Sequence, residues 1–145
     1  MAYQANIRSF GNARAKTDLS AASNQFRAVK LDADGEIVLA GVGEASLGIL
    51  QNKPAAGQAA NVATGGQSKA RAGGTIAAGA DVAVGANGLL VAASGARVNT
   101  TDAASATDPV IGPNIIGQAV TAAVVNDIFT LNIAPRGAVP ATVAA

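Results

Sequence analysis

The sequence predicts an all-β domain, a small barrel or sandwich assembled from short hairpins, with an extended N-terminal arm. Three observations carry this prediction. Short apolar runs are cut again and again by Gly, Asn, Asp and Pro; one hairpin pattern is written twice; and the last strand alternates cleanly between apolar and polar residues.

The duplicated hairpin is the most informative stretch. In residues 80–93, Val82 and Val84 alternate with small residues, Asn87-Gly88 follows, and Leu90-Val91 resume the apolar pattern. Residues 28–40 repeat it at a displacement of 53 positions (29 to 82): Val29 matches Val82, Leu31 matches Val84, and Ile37 matches Leu90. Asp34-Gly35 stands where Asn87-Gly88 stands. Both dipeptides favour the positive φ of tight hairpin turns, so each hairpin is expected to close through a two-residue turn. The pattern leaves open whether the hairpins pair within one chain or between subunits.

Residues 1–24 are polar and mixed, with no sustained strand or helix period, and read as an N-terminal arm. Either it frays, or it docks on a neighbour with its aromatic and basic residues as anchors. Residues 25–135 form the β-rich domain. After the first hairpin, Leu47-Gly48-Ile49-Leu50-Gln51 reads as a short buried strand, and Pro54 with Gly57 marks a loop. A strand over residues 60–64 is expected to end at Gly65-Gly66, and one over residues 68–72 at Gly73-Gly74. Residues 94–114 form a long polar connection.

Residues 115–126 fit two readings. Ile115-Ile116 and Val120 have strand character, whereas Ile116, Ala119, Val120, Ala123 and Val124 also trace a helical stripe. Beyond them Phe129, Leu131 and Ile133 share one face of a strand, with Thr130 and Asn132 on the other; Pro135 is expected to end it. Residues 136–145 then read as a flexible tail.

Chemistry narrows the function further. The chain has 145 residues, half of them apolar, but only three Phe, one Tyr and no Trp. A core built mainly of Ala and Val stabilises less per residue than one of Leu and Phe, so burial against another copy is expected to supplement it. A net charge of +1 with scattered cations lacks the basic stripe of a nucleic-acid binder. There is no His and no Cys, which removes the Ser-His-Asp triad, the Cys-His pair and His- or thiolate-based zinc sites. Asp32, Asp34 and Glu36 are the densest acidic cluster, yet they lack the further oxygen ligands of a calcium loop. No phosphate-cradling Gly-Lys loop occurs. We therefore expect neither an enzyme nor a resident metal or cofactor. The N-terminus has no apolar run of signal-peptide length, and the charge-free stretch between Asp108 and Asp127 is broken by Pro and Gly. The expectation is a soluble chain, unexported by the usual route and without a membrane partner.

Over residues 26–135 the chain resembles bacteriophage capsid decoration, or cement, proteins. The resemblance rests on the hairpin after a polar arm, the Leu47-Gly48-Ile49-Leu50 strand, and the Gly73-Gly74-Thr75-Ile76-Ala77-Ala78-Gly79-Ala80-Asp81-Val82 run. Ile116-Gly117-Gln118-Ala119-Val120 and Asp127-Ile128-Phe129-Thr130-Leu131 complete it. It implies a structural virion protein on the outer surface of a phage capsid, trimeric, seated at three-fold and quasi-three-fold axes, with the major capsid protein and itself as partners. It also implies that the arm contributes to shell contact, which nominates Tyr3, Arg8, Phe10 and Arg14 by position. The alternative is a head fibre or another structural, adhesive β-module such as a surface-layer subunit.

Overall fold

A computed structural model of the chain describes residues 2–93 and 111–140. Among the described residues nine strands follow one another: β1 (Ala5–Phe10), β2 (Ala28–Leu31), β3 (Ile37–Leu39), β4 (Gly48–Leu50), β5 (Val62–Arg71), β6 (Asp81–Val84), β7 (Leu90–Ala92), β8 (Ile111–Ala119) and β9 (Ile128–Pro140). They form one antiparallel sheet in the order β3-β2-β4-β5-β9-β8-β6-β7, with β1 paired to β5. The all-β expectation holds.

Both expected hairpins are present and pair within the chain. Val29, Lys30 and Leu31 face Leu39, Val38 and Ile37; Val82, Ala83 and Val84 face Ala92, Val91 and Leu90, which is the same register at the same displacement. The turns differ from the two-residue form expected. The closing bonds run from Asp32 N to Glu36 O at 2.9 Å and from Gly85 N to Leu89 O at 2.6 Å, so longer loops span residues 32–36 and 85–89. Gly35 and Gly88 still supply the positive φ, at 77° and 74°.

The repetition extends far beyond the hairpins. Val29 faces Gly48 as Val82 faces Gly117, and Leu50 faces Val62 as Ala119 faces Leu131. The displacement therefore grows from 53 in the hairpins to 69 beyond them (48 to 117). Turn bonds match too: Phe26 N donates to Leu50 O at 2.8 Å and Gly79 N to Ala119 O at 2.7 Å. Gln51 N reaches Asn61 O at 2.7 Å, and Val120 N reaches Thr130 O at 2.8 Å. The domain is thus two copies of one unit.

In each unit an entry segment bridges the outer edge of the hairpin. Ala15 bridges Ile37 in parallel, and Ala72 bridges Leu90 in parallel. These bridges cover strand edges that would otherwise expose unpaired backbone groups. The exit strand of the first unit is also the entry strand of the second. Val62 and Ala63 of β5 pair with β4, whereas residues 66–71 pair with β9.

The cores repeat residue by residue. Ala13, Ala15, Leu19, Val29, Ile37, Leu50, Ala60 and Val62 form one buried cluster. Their counterparts Ala70, Ala72, Ile76, Val82, Leu90, Ala119, Phe129 and Leu131 all lie in the other. Volume is traded between two positions, since Leu50 with Ala60 in the first unit becomes Ala119 with Phe129 in the second. Close packing explains the exchange, because a core must be filled but can be filled in more than one way.

Several expectations are corrected here. Gly65-Gly66 does not end a strand. β5 runs through it, with Gly66 at φ 84° where the backbone of Ala5 and Asn6 crosses too closely for a Cβ. Pro135 does not end β9, which continues to Pro140; the β8–β9 register shifts around it, so the missing N–H falls in an irregularity rather than a ladder. Residues 136–140 accordingly pair with β8 instead of forming a tail. Of the two readings of residues 115–126, the strand one holds for residues 115–119, where Ile116 and Ala119 are buried by cross-strand packing. Residues 5–10 of the expected arm pair with β5, and Ala13, Ala15 and Leu19 enter the core. Residues 94–110 of the polar connection and residues 141–145 of the tail lie outside the described residues.

Candidate functional site

The four residues nominated in the arm are spread along the edge made by β1 and the segment after it. Tyr3 is 43% exposed, and its N–H donates to Thr130 Oγ1 at 2.7 Å, which anchors the start of the chain on β9. Arg8 is exposed beside Gly65, where an added Cβ would meet the Arg8 guanidinium. Phe10 turns inward against the first core cluster, while exposed Arg14 bridges Ala59. Three of the four therefore present side chains to solvent, and Phe10 packs inward.

The acidic cluster has a structural explanation. Asp32, Asp34 and Glu36 bring carboxylate oxygens within 4.8 Å of one another. Asp32 accepts from the backbone N–H groups of Asp34 and Glu36, both at 2.9 Å, and from Lys16 Nζ at 2.9 Å. The Lys16 hydrogen bond is the first cause holding the Asp32 carboxyl below the usual carboxylate range, followed by the Glu36 N–H. Asp32 Oδ1 thus closes the hairpin loop, and its Oδ2 pairs with Lys16. A cleft of about 220 Å³ lined by Gln118 and Asn132 is flanked by Asp81 and Arg136, which pair with each other.

A second group of residues was missed in the sequence. Arg27, Lys69 and Arg71 converge on Phe26. Lys69 Nζ lies 5.9 Å from the Phe26 ring centroid, within cation–π range, and Arg71 N donates to Phe26 O at 2.9 Å. Arg27 Nε donates to Ser23 O at 2.7 Å, and Arg71 Nη2 donates to Ala22 O at 3.4 Å. The two guanidinium groups thus hang from consecutive carbonyls of the short 3-10 turn Ala22–Asn24. Burial first, and then the charge of Arg71, lower the pKa of Arg27. Among the described residues, none of the three cations has a carboxylate within 4.0 Å, whereas Lys16, Lys30 and Arg136 each have one. Alternate positions in β5 point Lys69 and Arg71 to the same face, but Arg27 joins them only through the fold, so spacing gave no signal.

This fold has a counterpart among known structures. The head fibre gp8.5 N base of bacteriophage phi29 is similar with a TM-score of 0.59 and 22% identity, over 88% of this chain and 94% of that one. The likeness is one of fold, and it spans nearly the whole of both chains. No protein-family model and no curated protein matches this sequence.

Proposed function

We propose that this chain is a structural protein of a phage virion that binds the outer surface of the head. The observation that supports this most is the fold likeness to the phi29 head fibre base, which leaves little of either chain unmatched. The resemblance of residues 26–135 to capsid decoration proteins supports the same reading. On it, the chain trimerises, seats at three-fold and quasi-three-fold axes against the major capsid protein, and braces the shell. Tyr3, Arg8 and Arg14 are shell-contact residues in this proposal, with Phe10 holding β1 against the core. The reading is one of binding, in keeping with a sequence without His or Cys and with Asp32 of the acidic cluster bonded within a hairpin loop.

Trimerisation suits weak polar contacts. A single contact at about 1 mM contributes only roughly 4 kcal/mol, and linking three such contacts on one rigid body gains a further ~10²–10⁴-fold.

A second reading is the base of a head fibre, and the likeness itself favours it. Copy number separates the two. Quantitative mass spectrometry of purified particles should give a ratio to the coat protein near one-to-one for a decoration protein. A handful of copies would make it a fibre base. Absence from particles would overturn both readings and turn attention to a surface-layer role.

A further inference from the structure

We propose that Arg27, Lys69 and Arg71, gathered around Phe26, form a docking surface for an acidic protein patch, a contact with the shell partner additional to that of Tyr3, Arg8 and Arg14. This rests on the capsid-binding reading and adds to it the face and the chemistry of contact.

The unit repetition supplies the first argument. In the second unit, Gly79 and Ala80 occupy the places of Phe26 and Arg27, and the same backbone bond is made from Gly79 N. The backbone turn itself therefore forms without the ring or the guanidinium, although here Arg27 also ties it to the second hairpin loop by donating from Nη1 to Asn87 O at 3.0 Å. Phe26 is in fact held at φ 69°, where Gly79 sits at 84°. Such a conformation is unfavourable for a bulky side chain and concentrates at functional positions.

Electrostatics supplies the second. Two guanidinium groups and an ammonium are held together with no carboxylate partner among the described residues, against their mutual repulsion. Arg71 Nε is buried and has no hydrogen-bond partner. Carbonyls of residues 22, 23 and 87 fix both Arg side chains in place, so little order is lost when a partner arrives. A carboxylate-bearing surface would relieve the repulsion and accept hydrogen bonds from the guanidinium N–H groups that remain. Nucleic acid fits less well, because the cations form a compact group rather than a stripe and the net charge is only +1.

The test uses the full chain and purified heads stripped of it, with binding followed by co-sedimentation over a range of salt. The unaltered chain should bind and lose affinity as salt rises. The Arg27→Gln/Lys69→Gln/Arg71→Gln variant should bind roughly tenfold or more weakly. Lys69→Gln alone, which removes the cation–π contact with Phe26 but no hydrogen bond among the described residues, should weaken binding by a smaller factor and lower the thermal midpoint only slightly. Lys53→Gln, an exposed cation elsewhere, should bind as the unaltered chain does. Equal binding by the unaltered chain, the Lys69 variant and the triple variant would overturn this inference while leaving the capsid reading in place. No binding by the unaltered chain would overturn the capsid reading and this inference with it. Charge-dependent binding to duplex DNA that the triple variant loses, with head binding unchanged, would replace the acidic protein partner with nucleic acid.

Discussion

Gly48 and Gly117 stand at the same point of the two units. A Cβ on Gly48 would lie 2.0 Å from Ala63 O, and one on Gly117 would lie 2.0 Å from Asn132 O. In both units the facing strand passes so close that only a hydrogen fits. We expect Gly48→Ala and Gly117→Ala each to lower stability by roughly 1–3 kcal/mol, and by similar amounts. Urea unfolding midpoints measure this, and a neutral result at either position would contradict the close crossing.

The traded core volumes give a second expectation. Phe129 is fully buried, and Phe129→Ala should cost about 3–5 kcal/mol. Adding Ala119→Leu restores the Leu-and-Ala arrangement of Leu50 and Ala60. The double variant should therefore be more stable than Phe129→Ala alone, and a double-mutant cycle on unfolding free energies would show it.

Thr130 is buried although it points away from the core side of β9, because the start of the chain lies over it. Its hydroxyl accepts from Tyr3 N at 2.7 Å. Thr130→Val keeps the shape and removes the acceptor, with an expected loss of about 1 kcal/mol. Amide exchange should accelerate chiefly in residues 3–10.

Acid should weaken the fold. The Asp32 and Glu44 carboxyls are held below the usual range, first by hydrogen bonds from Lys16 and Lys30 respectively. The native state therefore binds these protons less readily than the unfolded chain. The stability they contribute is complete above the ordinary carboxylate range and is lost as pH falls through the depressed native values. Thermal midpoints should stay level from about pH 7 to pH 5 and decline below about pH 4. Asp32→Asn and Glu44→Gln should each flatten that decline.

The hairpins were legible because the two copies share both spacing and apolar pattern, from Val29/Val82 to Ile37/Leu90. The remainder of the duplication was not. Its displacement changes on either side of the hairpins, and equivalent positions carry different residues: Gly57 and Asn126 both adopt positive φ, at 84° and 70°, yet look unrelated in sequence. The strand boundaries at Gly65-Gly66 and Pro135 misled for a related reason. Both are breakers by local rule, and both are tolerated where the ladder is already irregular. Arg8 and Arg14 could be nominated as exposed cations of the N-terminal segment. The Arg27, Lys69 and Arg71 group could not, because its members meet only after β5 passes beside the 3-10 turn.

Because β5 closes one unit and opens the next, the two copies have no seam between them. A cut within β5 removes an edge from both at once, so neither half survives as a module that could be excised. Heat or denaturant should find a single transition in a molecule whose plan is double. The double plan is therefore held by a single strand shared between its halves.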